Sequence, residues 1–190
     1  MNEPKKALVP LADGCEETEA VTIVDVLRRG GIEVRTAALA GDGAVRGAHG
    51  IRIVADGVLA DGAEEAAAAA ADLDAIVLPG GMGGTLALKG DPRVLAILRA
   101  LDARGALVAA VCAAPMVLDA AGLLAGRRFC CYPGIESRLS GAGTFVPGVP
   151  ALADGNLVTG TGPGTAARFA VEVLRALGGP ADDVAAGLLL

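Results

Sequence analysis

The segment ALVAAVCAAPMVLDAAG, Ala106 to Gly122, puts a single thiol where an apolar run changes from strand-like to helix-like. Two readings of Cys112 are open. A free cysteine is commonly buried as a small apolar side chain. On a tight strand-to-helix turn it is instead a nucleophile, its thiolate favoured by the positive end of the helix dipole. The small neighbours Ala110, Ala113 and Ala114 permit so cramped a turn, much like the nucleophile elbow of hydrolases. Covalent work by a thiolate further needs a group that moves protons and N–H donors that hold developing negative charge. Glu16, Glu17 and Glu19 in CEETEA are candidates for the first, although carboxylates gather at helix starts for dipole reasons alone. Gly80 and Gly81 in VLPGGMGG are candidates for the second, and an ordinary strand-to-helix turn reads the same way. GGMGG is not a phosphate loop, because no GK[ST] follows. GTGPGT, which holds Gly162 and Pro163, either binds an anion or simply bends the chain before a helix. The only histidine, His49, falls in a loop, where a lone histidine is usually a surface residue.

Positioning such groups requires elements that end at one place. KALVPL, Lys6 to Leu11, reads as a first strand ending in Asp13-Gly14, with Pro10 near its end. EETEAVTIVDVLRRGG follows with Ala20, Ile23, Val24 and Leu27 at helical spacing, stopped by Gly30-Gly31. Strands are expected at Glu33–Ala38, within HGIRIVAD as part of a hairpin, at Ala75–Leu78, Leu107–Val111, Phe129–Tyr132 and Leu157–Thr159. Helices are expected at Glu64–Ala71, Pro92–Ala103, Ala113–Ala121 and Ala166–Leu177, with PGGMGG a loop and an apolar tail from Pro180 that packs on the domain. This alternation predicts one α/β domain over residues 1–190, a mainly parallel sheet covered on both faces. Ligands of such sheets sit beyond the carboxyl ends of the strands. Asp13–Glu16, Pro79–Gly81 and Cys112–Ala114 all fall at such ends.

Composition sets the outer limits. The 190 residues are 53 % hydrophobic, 20 % charged and only 2 % aromatic, so the core is aliphatic. A net charge of −6, with only short basic pairs such as Arg28-Arg29 and Arg127-Arg128, argues against a nucleic-acid backbone as partner. The longest unbroken apolar stretch, Ala106 to Leu118, holds Pro115 and is shorter than the ~20 residues of a membrane span. No secretory signal is evident in MNEPKKALVPLADG, and a cytoplasmic protein is expected. Cys15, Cys112, Cys130 and Cys131 show no CxxC spacing, and with one histidine no zinc pattern exists, so no metal is expected.

Four motifs in register, ALVPLADGCEETEAVTIVDVLRRGGIEV, AIVLPGG, AAVCAAP and TGPGT, resemble the DJ-one/ThiJ/PfpI superfamily, in the branch of the human parkinsonism-associated protein and its bacterial YajL-like relatives. The resemblance implies a flavodoxin-like three-layer sandwich, related to class I glutamine amidotransferases, that forms a homodimer and uses no cofactor. It implies that Cys112 is the reactive cysteine, that Glu19 is its hydrogen-bonding carboxyl, and that Gly81 and Ala113, beside Gly80, supply the oxyanion N–H groups. It further implies that Arg29 reaches the partner's site. Two departures stand out. Tyr132, in CCYPGIE, takes the place of the family's usual histidine near the cysteine, which leaves general-base duty to Glu19. GAHGI replaces a loop that carries an arginine in relatives, so His49 is expected near the pocket, with Gly162 and Pro163. The absence of a downstream His-x-Glu pair speaks against amidotransferase chemistry. What the resemblance implies is a glutathione-independent glyoxalase or deglycase acting on methylglyoxal or glyoxal, or on their early thiol and amine adducts. The alternative is a redox sensor or redox-regulated chaperone whose cysteine oxidises to a sulfinate.

Overall fold

The computed structural model describes residues 3–190. The chain begins β1 (Lys6–Leu11), α1 (Glu17–Arg29), β2 (Glu33–Ala38), a hairpin of β3 (Ala44–Arg46) and β4 (Arg52–Val54), the short β5 (Gly57–Val58) and α2 (Ala63–Ala69). It continues through β6 (Ala75–Leu78), α3 (Met82–Gly90), α4 (Pro92–Ala103), β7 (Leu107–Val111) and α5 (Pro115–Ala120). The last third holds β8 (Arg128–Phe129), β9 (Thr144–Phe145), β10 (Ala151–Asp154), β11 (Leu157–Gly160), α6 (Ala166–Ala176) and α7 (Ala181–Gly187). Seven strands form the main sheet in the order β10-β11-β7-β6-β1-β2-β5, parallel throughout except for the edge pair β10–β11. This is the mainly parallel, two-face-covered sheet that the alternating pattern predicts, and the flavodoxin-like α/β sandwich that the resemblance implies.

The central strands are apolar on both faces because both faces are covered. Leu8, Ile76, Leu78, Val108 and Ala110 point into a core shared with α2, α3, α4 and α5. Val9, Leu11, Val77, Ala109 and Val111 point the other way, into a core built by α1, α6 and α7. Each fully buried Leu, Ile or Val contributes about 1.5–3 kcal/mol relative to its exposed state, so the two cores hold the strand ends in fixed register. α1 buries Ala20, Ile23, Val26 and Leu27 on one stripe. α4 starts sharply, with Pro92 in its first turn and the Asp91 carboxylate accepting the Arg93 N–H at 2.9 Å. Such a cap is worth about 1 kcal/mol.

The chain departs from its strand after β1 on one side of the sheet and re-enters through β6 on the other. The turns after β1, β6 and β7 therefore lie side by side at a topological switch point, where ligands of open α/β sheets bind. The Glu16 N–H donates to the Gly80 carbonyl at 2.9 Å and ties the first two turns together.

Several elements differ from the sequence expectation. PGGMGG is not all loop: α3 starts at Met82 in spite of Gly83 and Gly84. Those glycines are poor helix formers, but a Cβ on Gly84 would come within 2.8 Å of the Cys15 backbone, so only glycine lets α3 lie against that turn. The segment Phe129–Tyr132 does not join the main sheet; only Arg128–Phe129 pairs, with β9, and Cys131 and Tyr132 are irregular. β10 is an antiparallel strand hidden in a proline- and glycine-rich stretch, paired to β11 through the Asp154–Leu157 hairpin. α5 begins at Pro115, two residues later than expected, and residues 112–114 form a turn of their own. The tail forms α7 and packs on α6 through Ala181.

Candidate active site

Cys112 has φ +64°, the left-handed region that a β-carbon disfavours by roughly 1–2 kcal/mol. Its backbone is locked there from both sides: its N–H donates to the Gly160 carbonyl at 3.0 Å, and its carbonyl accepts the Tyr132 N–H at 2.9 Å. The strain tips the side chain out of the strand line, and Cys112 is partly exposed while Cys15, Cys130 and Cys131 are buried. Cys112 thus has the left-handed turn of a nucleophile elbow, while its partly buried side chain also packs against both cores.

Beneath the sulfur lies Glu19, fully buried on the first turns of α1. The Gly80 N–H donates to Glu19 Oε2 at 2.7 Å, while Oε1 is buried without a partner among the described residues. A Cβ on Gly80 would lie 2.6 Å from the Cys112 Cβ and 2.7 Å from Glu19 Oε2. The residue has to be glycine for thiol and carboxyl to meet. Gly80 thus positions the acid rather than facing the cavity, because its N–H is already spent on Glu19. The Gly81 and Ala113 N–H groups lie near the Cys112 sulfur and favour its thiolate.

Burial pushes the Glu19 carboxyl up to about 7, against the pull of the Gly80 N–H and the Cys112 side chain. Burial also pushes the Cys112 thiol up, to about 12, helped by the Glu19 charge and opposed by the Gly81 and Ala113 N–H groups. The turn therefore does not lower the thiol by itself, as the strand-to-helix argument expects. α5 starts three residues beyond the sulfur and has only six residues, so two amides, not a long helix dipole, face the sulfur. The pair titrates as one unit. When Glu19 carries its proton, its charge no longer opposes the thiolate, and its O–H becomes a donor to it.

Above Cys112 opens a cavity of about 310 Å³ lined by Ala48, Gly81, Met82, Ala113, Tyr132, Ile135 and Pro163, with Glu16 as its one charged side chain among the described residues. Ala48, Met82, Ile135 and the cavity role of Glu16 escape sequence reasoning, since nothing in their local spacing marks them. Tyr132 and Pro163 are walls, and Gly162 backs the Tyr132 ring, 3.1 Å from it measured from a built Cβ. His49 does not line the cavity. Its Nδ1 lies 3.0 Å from Glu17 Oε2 and 3.6 Å from Glu16 Oε2, and its N–H donates to Glu17 Oε1 at 2.8 Å. The contact between the imidazole and Glu17, with the two acids' charges, raises His49 above its ordinary value. Glu17, although burial opposes ionisation, is held down at about 2 by backbone N–H groups and His49. These three side chains bring possible ligand atoms within 4.8 Å of one another, but the Glu17 oxygens are already engaged by His49 and the Ile51 N–H. Arg29 sits at the far end of α1, paired to Asp25 at 2.7 Å, and makes no part of this chain's cavity.

Residues 5–176 match the model of the DJ-1/PfpI family. The chain is 40 % identical to Protein dj-1beta of Drosophila melanogaster over 188 residues, covering 98 % of this chain and 97 % of the relative. It is 34 % identical over 181 residues to the glutathione-independent glyoxalase DJR-1.2 of Caenorhabditis elegans, covering 95 % and 92 % of the two chains. The crystal structure of Drosophila melanogaster DJ-1beta superposes with a TM-score of 0.90 at 38 % identity, covering 99 % of each chain.

Proposed function

Since the chain belongs to the DJ-1/PfpI family, we propose that it is a cysteine-dependent glyoxalase that needs no glutathione and converts small 2-oxoaldehydes to 2-hydroxy acids. The observation that carries this reading is the stacking of Glu19 beneath a left-handed Cys112 whose sulfur faces the Gly81 and Ala113 N–H groups. Around neutrality the pair gives up one proton, since Glu19 lies at about 7. In the reactive arrangement the remaining proton rests on Glu19 and the sulfur is ionised. The thiolate attacks the aldehyde carbon of methylglyoxal, and the carbonyl electron pair moves onto oxygen as an alkoxide, stabilised by the two amides and protonated by Glu19. The Glu19 carboxylate then takes the hydrogen from that carbon and delivers it to the neighbouring carbon through an enediol, which leaves a thioester. Water adds to the thioester, lactate departs, and the thiolate returns. The sum is one oxoaldehyde and one water giving one hydroxy acid. Glu19 supplies all the proton transfers in this scheme.

Purified protein without glutathione is expected to form lactate from methylglyoxal. Cys112→Ala removes the nucleophile and Glu19→Gln the proton carrier, each lowering kcat by about a hundredfold or more. Full activity in either variant overturns the mechanism. The same reading takes the protein to be a cytoplasmic homodimer. Support for pairing comes from Val21 and Val54, 55 % and 76 % exposed, which with Val24 and Ile53 line an apolar groove on α1 and β4. Sedimentation at monomer mass over micromolar concentrations would count against it.

A second reading rests on the partnerless Oε1 of Glu19. A neutral carboxyl there is a donor for one oxygen of a Cys112 sulfinate, which suits a redox sensor. Mild peroxide is then expected to add two oxygens to Cys112. Addition to Cys15 or Cys130 instead argues against it.

A further inference from the structure

The cavity over Cys112 is larger and more apolar than methylglyoxal needs. At about 310 Å³ it falls in the range of small-molecule sites, and a ligand as small as methylglyoxal leaves most of it empty. Its wall is made of Tyr132, Met82, Ile135, Pro163 and Ala48. Tyr132 is fixed relative to the nucleophile, because its N–H donates to the Cys112 carbonyl at 2.9 Å while its ring rests on Gly162. Tyr132 is half exposed, at 49 %, so a flat apolar group laid on the ring removes further surface from water. Met82 beside it is unbranched and adaptable, and its Sδ accepts from the Arg138 guanidinium at 3.8 Å. No lysine or arginine lines the cavity among the described residues, and its one charged side chain is Glu16. The Cys112–Glu19 pair adds a shared negative charge at neutral pH. His49 bonds Glu17 and lies 3.6 Å from Glu16 Oε2.

Building on the glyoxalase reading, we infer that the preferred substrate is an uncharged 2-oxoaldehyde bearing a branched-alkyl or aryl tail, selected by the Tyr132 wall. A tail of this kind lies against Tyr132, Pro163 and Ile135 while the aldehyde meets Cys112. Anionic 2-oxoaldehydes are disfavoured, because they face Glu16 and the shared charge below it, while of the nearby cations His49 is held by Glu17 and Glu16 and Arg138 bonds Met82. Tyr132 thereby acts as a specificity residue.

The test compares phenylglyoxal, methylglyoxal and 4-carboxyphenylglyoxal as substrates of the full chain. The kcat/KM for phenylglyoxal is expected to exceed that for methylglyoxal by about tenfold or more, in line with the discrimination that extra apolar contact provides. The kcat/KM for 4-carboxyphenylglyoxal, which keeps the ring and adds a negative charge, should fall about tenfold or more below that for phenylglyoxal. Tyr132→Ala should bring the phenyl-to-methyl ratio to about one, and Tyr132→Phe, which keeps the ring, should preserve it. A readout without turnover is the alkylation rate of Cys112 by phenacyl bromide against bromoacetone, located by mass spectrometry and normalised to free cysteine. The normalised ratio should again be about ten in the native protein and fall in Tyr132→Ala. Equal normalised rates and equal kcat/KM values, with lactate still formed, overturn the inference while the glyoxalase reading stands. A phenyl preference in alkylation with no oxoaldehyde turned over overturns both.

Discussion

Replacing Glu19 by Gln isolates the energetic weight of burying an acid under the sulfur. Burial raises the Glu19 carboxyl from its ordinary 4.5 to about 7. Between those values the native protein holds a proton that the unfolded chain has released. Unfolding free energy therefore falls as pH rises through this window. A rise of that size corresponds to about 3 kcal/mol by the end of the window. The carboxamide of Glu19→Gln accepts the Gly80 N–H in the same way but carries no charge at any pH. The stability of Glu19→Gln minus that of the native protein should thus be small near the ordinary value of 4.5 and grow to about 3 kcal/mol by about pH 8. His49 titrates in both proteins and cancels in the difference. The chain has no tryptophan and one tyrosine, so urea unfolding is best followed by far-ultraviolet circular dichroism. A difference that stays level across the whole of that pH range would show that Glu19 is ionised throughout. Glu19 would then have no proton to give a nascent thiolate or alkoxide, and the reasoning about the pair would fail.

Other perturbations read neighbouring parts of the same structure. Both Cys112→Ala and Cys112→Gly lose the thiol, but only Gly accepts φ +64° freely, so Cys112→Gly should be the more stable by about 1 kcal/mol in thermal unfolding. The β-carbon of Gly80→Ala, built 2.6 Å from the Cys112 Cβ, should destabilise by about 1–3 kcal/mol and separate thiol from acid, lowering methylglyoxal turnover more than tenfold; normal kcat would refute the close approach. His49 is raised by its bond to Glu17, so its contribution is present below its ordinary pKa and lost as pH rises through the raised one. His49→Ala should accordingly lower Tm more at about pH 6 than at about pH 9, and an effect that does not change with pH would exclude the ion pair.

The frame of this protein was legible where a single physical requirement governs a segment. β1, β6 and β7 are short aliphatic runs because both their faces are buried, and α1 and α6 show an apolar stripe because only one side is covered. Legibility fails where a contact distant in sequence overrides local preference. Gly83 and Gly84 argue against a helix until the turn at Cys15 is seen pressed against them. β10 is a strand because β11 offers an edge, not because ALAD prefers one. The site divides similarly. The elbow at Cys112 is readable from its small neighbours, but the pairing of Cys112 with Glu19 followed only from family resemblance, since 93 positions separate them. The placement of His49 depends on how the β3–β4 hairpin folds over α1, which sets its imidazole against Glu17 and 3.6 Å from Glu16.

The elbow at Cys112 is pinned by Gly160 and Tyr132, its acid comes from Glu19 and its amides from Gly81 and Ala113. No fragment ending before β11 contains all of these. During synthesis the sulfur stays an ordinary, unactivated thiol until the last third of the polypeptide has left the ribosome and docked as the neighbour of β7. On the proposed function, the chemistry waits for completion of the fold, and the reactivity of this one atom would gauge whether a given molecule has finished folding.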